Sequence, residues 1–125
     1  MIKTKILIIE DDKFLVSILE EAIDQEKFKV ILALDSESGF QKAVSEKPAV
    51  IVLDVLLPGE SGFECLEQLK KNPKTKNIPV IILSNLGQDE EVRRGMELGA
   101  IDYLVKADFK VEEIVNKIVK AVNKR

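Results

Sequence analysis

The sequence contains no histidine and no tryptophan, and it has a single cysteine, Cys65. Without histidine, hydrolases that pair a serine or cysteine nucleophile with an imidazole base are excluded, and so are most zinc sites. One cysteine cannot form an internal disulfide, so the chain shows no sign of an oxidising compartment. We interpret Cys65 as a small, buried hydrophobic residue of a helix rather than as a nucleophile.

Long hydrophobic runs and an excess of positive charge are also missing. No stretch approaches the ~20 apolar residues that a membrane-spanning helix needs, and the first apolar run is too short for a signal peptide. The 22 acidic and 19 basic residues give a net charge of −3, which creates no positive field to attract nucleic acid or an anionic membrane. We therefore expect a cytoplasmic protein that binds neither.

The length and composition of the chain suit one globular domain over residues 1–125. Hydrophobic residues make up 46% of the sequence and charged residues 33%. Short runs rich in Ile and Val alternate with segments of helical period, which predicts a parallel sheet with helices on both faces. The predicted strands are 5–10, 29–34, 49–54, 79–84 and 100–105. Right-handed crossovers then give a doubly wound α/β fold.

Five helices are predicted between and after these strands. The third is expected to begin at Ser61, with Glu64 completing a capping box. The fourth is expected from residues 88–90 to Gly99, and its apolar stripe of Val92 and Met96 is thin. We therefore expect the fourth helix to be the most loosely held of the five.

Polar residues stand where the predicted strands end, and ligands of open parallel sheets bind beside those carboxyl ends. The residues are Glu10, Asp11, Asp12, Asp54, Ser84, Asn85 and Lys106. Several carboxylates in one crevice are costly without a cation, and oxygen ligands are what Mg²⁺ prefers. The sequence therefore predicts an acidic metal site.

Asp54 interrupts a hydrophobic run in the stretch AVIVLDVLLPGESG. Alone, it would be read as a turn carboxylate before Pro58 and Gly59. The other strand ends favour a second interpretation, because phosphoryl transfer to an aspartate needs a carboxylate nucleophile, a metal, and hydroxyl and lysine donors. We interpret Asp54 as the reactive residue of such a site.

Over essentially its whole length, the chain resembles the CheY-like receiver domain of bacterial two-component response regulators. The matching motifs, in order, are ILIIEDD, Asp54 in DVLLPGESG, Ser84 in IILSN, and Tyr103 with Lys106 in DYLVK. The resemblance implies a flavodoxin-like sheet of five strands in the order 2-1-3-4-5, with five helices. It also implies a phosphorelay signalling protein that accepts a phosphoryl group and is not an enzyme in the ordinary sense.

The resemblance implies a role for each matching residue. Asp54 would be the phosphorylation site, served by a partner histidine kinase or phosphotransfer protein. The ligands of Mg²⁺ would be Asp11, Asp54, Glu10 and the backbone carbonyl of Leu56. Lys106 and Ser84 would contact the phosphoryl oxygens, and Tyr103 would act with Ser84 as a switch.

The implied output is a partner-binding surface on the fourth helix, fifth strand and fifth helix, which would engage a downstream protein target. We expect a monomer or a weak dimer.

Two further residues near the site are assigned other roles. Asp12 fits a cap of the first helix better than a third metal-binding carboxylate. Ala107 stands where the family usually has proline, and we expect a trans peptide bond there.

Leu56 and Leu86 are expected to flank the path of a water attacking the phosphoryl group. Both are apolar and cannot orient that water, so we expect slow self-dephosphorylation.

An alternative function is an aspartyl-phosphate phosphatase-like enzyme, but the nucleophile of such enzymes follows the first strand in an Asp-x-Asp pattern. The other alternative is a receiver-like binding module that is not phosphorylated.

Overall fold

A computed structural model describes residues 2–123. Within this range, the strands are β1 (Thr4–Ile9), β2 (Phe28–Ala33), β3 (Val50–Leu53), β4 (Val80–Ser84) and β5 (Asp102–Val105). The helices are α1 (Lys13–Ala22), α2 (Ser36–Glu46), α3 (Gly62–Lys71), α4 (Asp89–Glu97) and α5 (Val111–Asn123). A 3₁₀ helix, Lys106–Asp108, precedes α5. The predicted strand limits are correct to within two residues.

All five strands are parallel, and their order in the sheet is β2-β1-β3-β4-β5. This confirms the predicted doubly wound fold, including its strand order. The winding reverses between β1 and β3, where Ile9 pairs in register with Leu53. Because Glu10 and Asp54 follow these paired residues, the fold brings the two carboxylates out beside each other.

The sheet separates two apolar layers, because successive side chains of a strand point to opposite faces. Leu7 and Ile9 of β1 pack in the layer under α2 and α3, while Ile6 and Ile8 pack under α1 and α5. All four are essentially inaccessible to solvent. Burying an apolar side chain of this kind stabilises the folded state by about 1.5–3 kcal/mol relative to leaving it exposed. None of the described helices is long and apolar enough to cross a membrane.

Cys65 is fully buried in α3, as predicted, and burial raises the pKa of its thiol.

Helix α3 begins differently from the prediction. Ser61 caps α3 by accepting a hydrogen bond from the Phe63 amide at 3.1 Å. Among the hydrogen bonds of the described residues, the Glu64 amide does not donate to Ser61 Oγ and the Ser61 amide does not donate to the Glu64 side chain, so the expected capping box is not formed.

Helix α4 packs through a glycine as well as through part of the predicted stripe. Met96 is 42% exposed, and the buried residue of α4 is Gly95. A Cβ atom at Gly95 would lie 2.9 Å from Cδ2 of Tyr103, so the helix backbone rests on the tyrosine ring. Of the expected stripe of Val92 and Met96, Val92 packs partly buried against the core and Met96 does not, so the stripe is as thin as predicted. The helix ends earlier than expected, at Glu97.

Gly62 sets the distance between α3 and the backbone that follows β3. Its amide donates to the Val55 carbonyl at 3.1 Å. A Cβ atom at this position would lie 2.2 Å from the Asp54 carbonyl oxygen and 2.4 Å from the Val55 Cα. No side chain can be accommodated without displacing backbone, so Gly62 allows the close approach that places α3 beside Asp54.

We predict that Gly62→Ala lowers the free energy of unfolding by about 3 kcal/mol, since the methyl group meets backbone atoms that cannot rotate away. Urea unfolding measures the change, with Glu64→Ala on the exposed side of the same helical turn as the matched control. Equal unfolding midpoints for the two variants would contradict the close contact.

Candidate functional site

The carboxyl ends of β1 and β3 hold the two acidic residues at the centre of the site. The Glu10 amide donates to the Ala33 carbonyl at 2.9 Å, and the Asp54 amide donates to the Ile9 carbonyl at 3.0 Å. These bonds extend the parallel ladders by one step beyond the strands. Both backbones are therefore fixed by the sheet, and both side chains are buried, at 3% exposure for Glu10 and 4% for Asp54.

Lys106 reaches both carboxylates from the end of β5. Its Nζ lies 2.8 Å from Oε1 of Glu10 and 2.8 Å from Oδ2 of Asp54. Buried charges need such pairing, because an uncompensated carboxylate in a low dielectric is strongly disfavoured. The sequence placed these three residues at strand ends, and the structure brings them into direct contact.

The loop after β3 supplies the other contact of the Asp54 side chain. The Leu56 amide donates to Oδ1 of Asp54 at 2.9 Å. Each carboxylate oxygen of Asp54 therefore has a donor, Leu56 on one side and Lys106 on the other. This amide contact could not be predicted from the amino-acid pattern, because any residue except proline at position 56 carries an N–H group.

The third acidic residue, Asp11, stands at the exposed mouth of the site. One carboxylate oxygen from each of Glu10, Asp11 and Asp54 lies within 4.8 Å of the others. Lys106 balances only one of the three negative charges. An all-oxygen donor set with excess negative charge fits a hard divalent cation, so the predicted carboxylates form a candidate metal-binding group.

The electrostatics of the buried pair reflect this crowding. Burial raises the pKa of Glu10 to about 7, and although hydrogen bonding from Lys106 opposes the increase, the charge of Asp54 adds to it. Burial acts to lower the pKa of Lys106, but hydrogen bonds and the charges of Asp54 and Glu10 outweigh it, so the pKa is raised. Lys106 is therefore a firmly held cation.

Asp12 caps helix α1, as predicted, and is not part of the carboxylate group. Its Oδ1 accepts hydrogen bonds from the amides of Phe14 at 3.1 Å and Leu15 at 3.2 Å. The Asp12 amide in turn donates to Oε2 of Glu10 at 3.1 Å. The start of α1 thus helps to fix the Glu10 side chain.

Ser84 and Tyr103 meet at Leu86 in the loop between β4 and α4. Ser84 is fully buried, and its Oγ accepts from the Leu86 amide at 3.4 Å. The Tyr103 hydroxyl donates to the Leu86 carbonyl, and burial, then the charges of Glu91 and Asp54, raise the pKa of Tyr103 to about 12. In the described part of the chain, Ser84 makes no hydrogen bond to Asp54. Sequence reasoning missed this shared contact with the Leu86 backbone.

The remaining predicted residues lie around the mouth of the site. The Leu56 side chain is 50% exposed, Leu86 is partly buried, and Asn85 is exposed. The peptide bond between Lys106 and Ala107 is trans, as expected, and both residues lie in the 3₁₀ helix.

A doubly wound sheet with a buried aspartate, a paired lysine and an acidic metal-binding group defines a class of phosphoacceptor signalling domains. The family model of the response regulator receiver domain matches residues 6–119, and the chain belongs to this family. Receiver domains act in two-component systems as phosphoacceptor modules, and they bind a divalent metal at an acidic pocket. In this chain that pocket contains Glu10, Asp11 and Asp54.

Individual relatives agree with this family. The chain is 37% identical over 121 residues to the alkaline phosphatase synthesis transcriptional regulatory protein PhoP of Bacillus subtilis (strain 168), covering 97% of this chain and 49% of PhoP. It therefore spans about half the length of that relative.

Two solved receiver structures are also similar. The BeF3-activated DrrB receiver domain has 34% identity and a TM-score of 0.82, covering 99% of this chain and 100% of DrrB. The Mn²⁺-bound form of response regulator Rcp1 has 27% identity and a TM-score of 0.72, covering 97% of this chain and 90% of Rcp1.

We predict that Lys106→Met, measured without divalent cations, lowers the free energy of unfolding at pH 8 by about 3 kcal/mol, because two buried carboxylates lose their shared cation. Burial raises the pKa of Glu10, whereas the hydrogen bond and charge of Lys106 lower it. Removing Lys106 raises that pKa above its wild-type value, so the folded variant binds the Glu10 proton more tightly than the folded wild type does. The deficit should therefore shrink as the pH falls from above 7 towards 5.

The matched control is Lys71→Met, which removes an exposed lysine that lies 3.2 Å from Glu67. Exposed pairs contribute little, so this variant should unfold almost like the wild type at both pH values. A Lys106→Met deficit no larger than that of Lys71→Met, or one independent of pH, would count against the buried pairing.

Proposed function

We propose that residues 1–125 form a single receiver domain that accepts a phosphoryl group on Asp54 from a partner histidine kinase or phosphotransfer protein, in a Mg²⁺-dependent reaction. The observation that carries this proposal is the Asp54 carboxylate, buried between Lys106 and the Leu56 amide beside two further carboxylates. A phosphohistidine donor lies outside residues 1–125, because these contain no histidine.

In the proposed reaction, an Asp54 oxygen attacks phosphorus, the bond between phosphorus and the donor's imidazole nitrogen breaks, and that nitrogen keeps the electron pair. Glu10, Asp11, Asp54 and the Leu56 carbonyl would hold Mg²⁺, which supplies charge neutralisation for the phosphoryl oxygens. Lys106 transfers its hydrogen bond from Asp54 to a phosphoryl oxygen while it stays paired with Glu10. The Leu56 amide continues to orient the acyl oxygen.

The proposed switch uses the contacts at Leu86. Phosphorylation replaces the single negative charge of the Asp54 carboxylate with a phosphoryl group of about −1.5 to −2 charges. The Ser84 hydroxyl can then turn from the Leu86 amide to a phosphoryl oxygen. The Tyr103 hydroxyl is hydrogen-bonded to the Leu86 carbonyl. The loop before α4 is therefore linked to Ser84 of β4 and to Tyr103 of β5, and a change at either contact can alter its conformation. A coupling of about 1–3 kcal/mol is ordinary for such a two-state element.

The surface that changes would consist of α4, β5 and α5. We propose that it binds a downstream protein target in the cytoplasm, where receiver domains generally act, and that the domain is a monomer or a weak dimer. The net charge of −3 favours a protein partner over nucleic acid or a membrane.

We predict that incubation with MgCl₂ and acetyl phosphate adds one phosphoryl group to the wild type, as measured by intact mass. Asp54→Asn should abolish the addition. Asp11→Asn should reduce it strongly while the far-ultraviolet circular dichroism stays unchanged, because the nucleophile remains and a metal-binding carboxylate is lost. A wild type that stays unmodified, or an Asp54→Asn variant that is modified, would refute the proposed function.

We also predict that the phosphoryl group is lost slowly, since neither Leu56 nor Leu86 can orient the attacking water. Polar substitutions, Leu56→Asn and Leu86→Glu, should speed the loss, which is timed by the decline of the phosphorylated mass after the donor is removed. Leu34→Asn, at a partly exposed leucine after β2, controls for replacing a leucine as such. Hydrolysis no faster in the polar variants than in this control would show that the two leucines do not protect the phosphoryl group.

A further inference from the structure

The loop between β3 and α3 carries the Leu56 peptide. Leu57 packs, partly buried, against the core, but little packing fixes the tip of the loop that follows it. Pro58 and Gly59 are exposed, Gly59 has a φ of 76°, and a Cβ atom there would meet nothing within 4 Å. An open groove of about 550 Å³ lies between the loop and α2. The loop tip therefore has room to move outward.

One side chain ties this tip to the helices on both sides. Ser36 Oγ, at the start of α2, donates to Oε2 of Glu60 at 2.9 Å. Gln68 Nε2, on α3, donates to Oε1 of Glu60 at 2.8 Å. We call this arrangement the Glu60 bridge. In the described part of the chain, these are the hydrogen bonds that connect segment 57–60 to the rest of the fold.

The Glu60 bridge and the base of the loop together determine how the Leu56 peptide is presented. The base is closed by the bond from the Gly62 amide to the Val55 carbonyl. Between these two anchors, rotation of the peptide unit after Leu56 changes the direction of the Leu56 carbonyl. It also affects the Leu56 amide that donates to Asp54.

We propose that Glu60 is a positioning residue of the phosphoacceptor site, holding the Leu56 amide on Asp54 and the Leu56 carbonyl in the direction of the metal. The inference about the carbonyl rests on the proposed function, whereas the inference about the amide does not. Glu60 acts through neutral donors, Ser36 and Gln68, so its effect comes from geometry and not from its charge. Outer contacts of this kind typically change metal affinity by about 10-fold to 100-fold.

The first test uses the metal-free protein and measures hydrogen exchange of the Leu56 amide by NMR. Glu60→Ala should speed this exchange, because the loop tip is released and the bond to Asp54 opens more often. Ser36→Ala removes the bridge from its other end and should speed the same amide. Unchanged Leu56 exchange in both variants would overturn the proposal, whatever the metal does.

The second test measures MgCl₂ affinity by isothermal titration calorimetry, for which we expect Glu60→Ala to bind about 10-fold more weakly than the wild type. Glu60→Gln should stay close to the wild type, since an amide can accept from Ser36 and, after rotation of the Gln68 amide, donate to it. Glu64→Ala removes one negative charge from the first turn of α3 without touching the bridge, and should also bind normally.

The outcomes separate geometry from charge and from failure of the site itself. Equal weakening in Glu60→Gln, Glu60→Ala and Glu64→Ala would assign the effect to charge and refute the bridge. Wild-type protein that binds no Mg²⁺ would refute the proposed function, while the exchange experiment would still decide whether Glu60 holds the Leu56 amide.

Discussion

Two buried carboxylates, Glu10 and Asp54, share the single ammonium group of Lys106. The parallel sheet creates this arrangement, because the ends of β1, β3 and β5 deliver all three residues to one edge. A site built in this way contains more negative charge than it can balance. Its readiness to take up a cation, and its poor tolerance for losing Lys106, both follow from that imbalance.

The same crowding explains why the surroundings of the site are held by backbone contacts. The Leu56 amide donates a hydrogen bond to Asp54, the Asp12 amide donates one to Glu10, and the Tyr103 hydroxyl donates one to the Leu86 carbonyl. Backbone groups donate or accept hydrogen bonds without adding a charge. They can therefore orient the reactive side chains while leaving the charge balance to the lysine and the metal.

The fold and the acidic residues could be predicted from sequence because both leave strong patterns. Runs of Ile and Val identify buried parallel strands, and a carboxylate such as Asp54 that ends one of them is conspicuous. The packing of α4 could not be predicted in the same way, since periodicity follows apolar side chains and Gly95 has none. The Glu60 bridge could not be predicted either, because its partners Ser36 and Gln68 belong to two different helices and are ordinary polar residues.

The contact between Gly95 and Tyr103 has a consequence for how signalling partners diverge. Because α4 packs through Gly95 and the partly buried Val92, most of its other positions are exposed. Substitutions along this helix can accumulate without unfolding the domain. Under the proposed function, the exposed positions of α4 can therefore diverge with the binding partners while the buried residues around Asp54 stay the same.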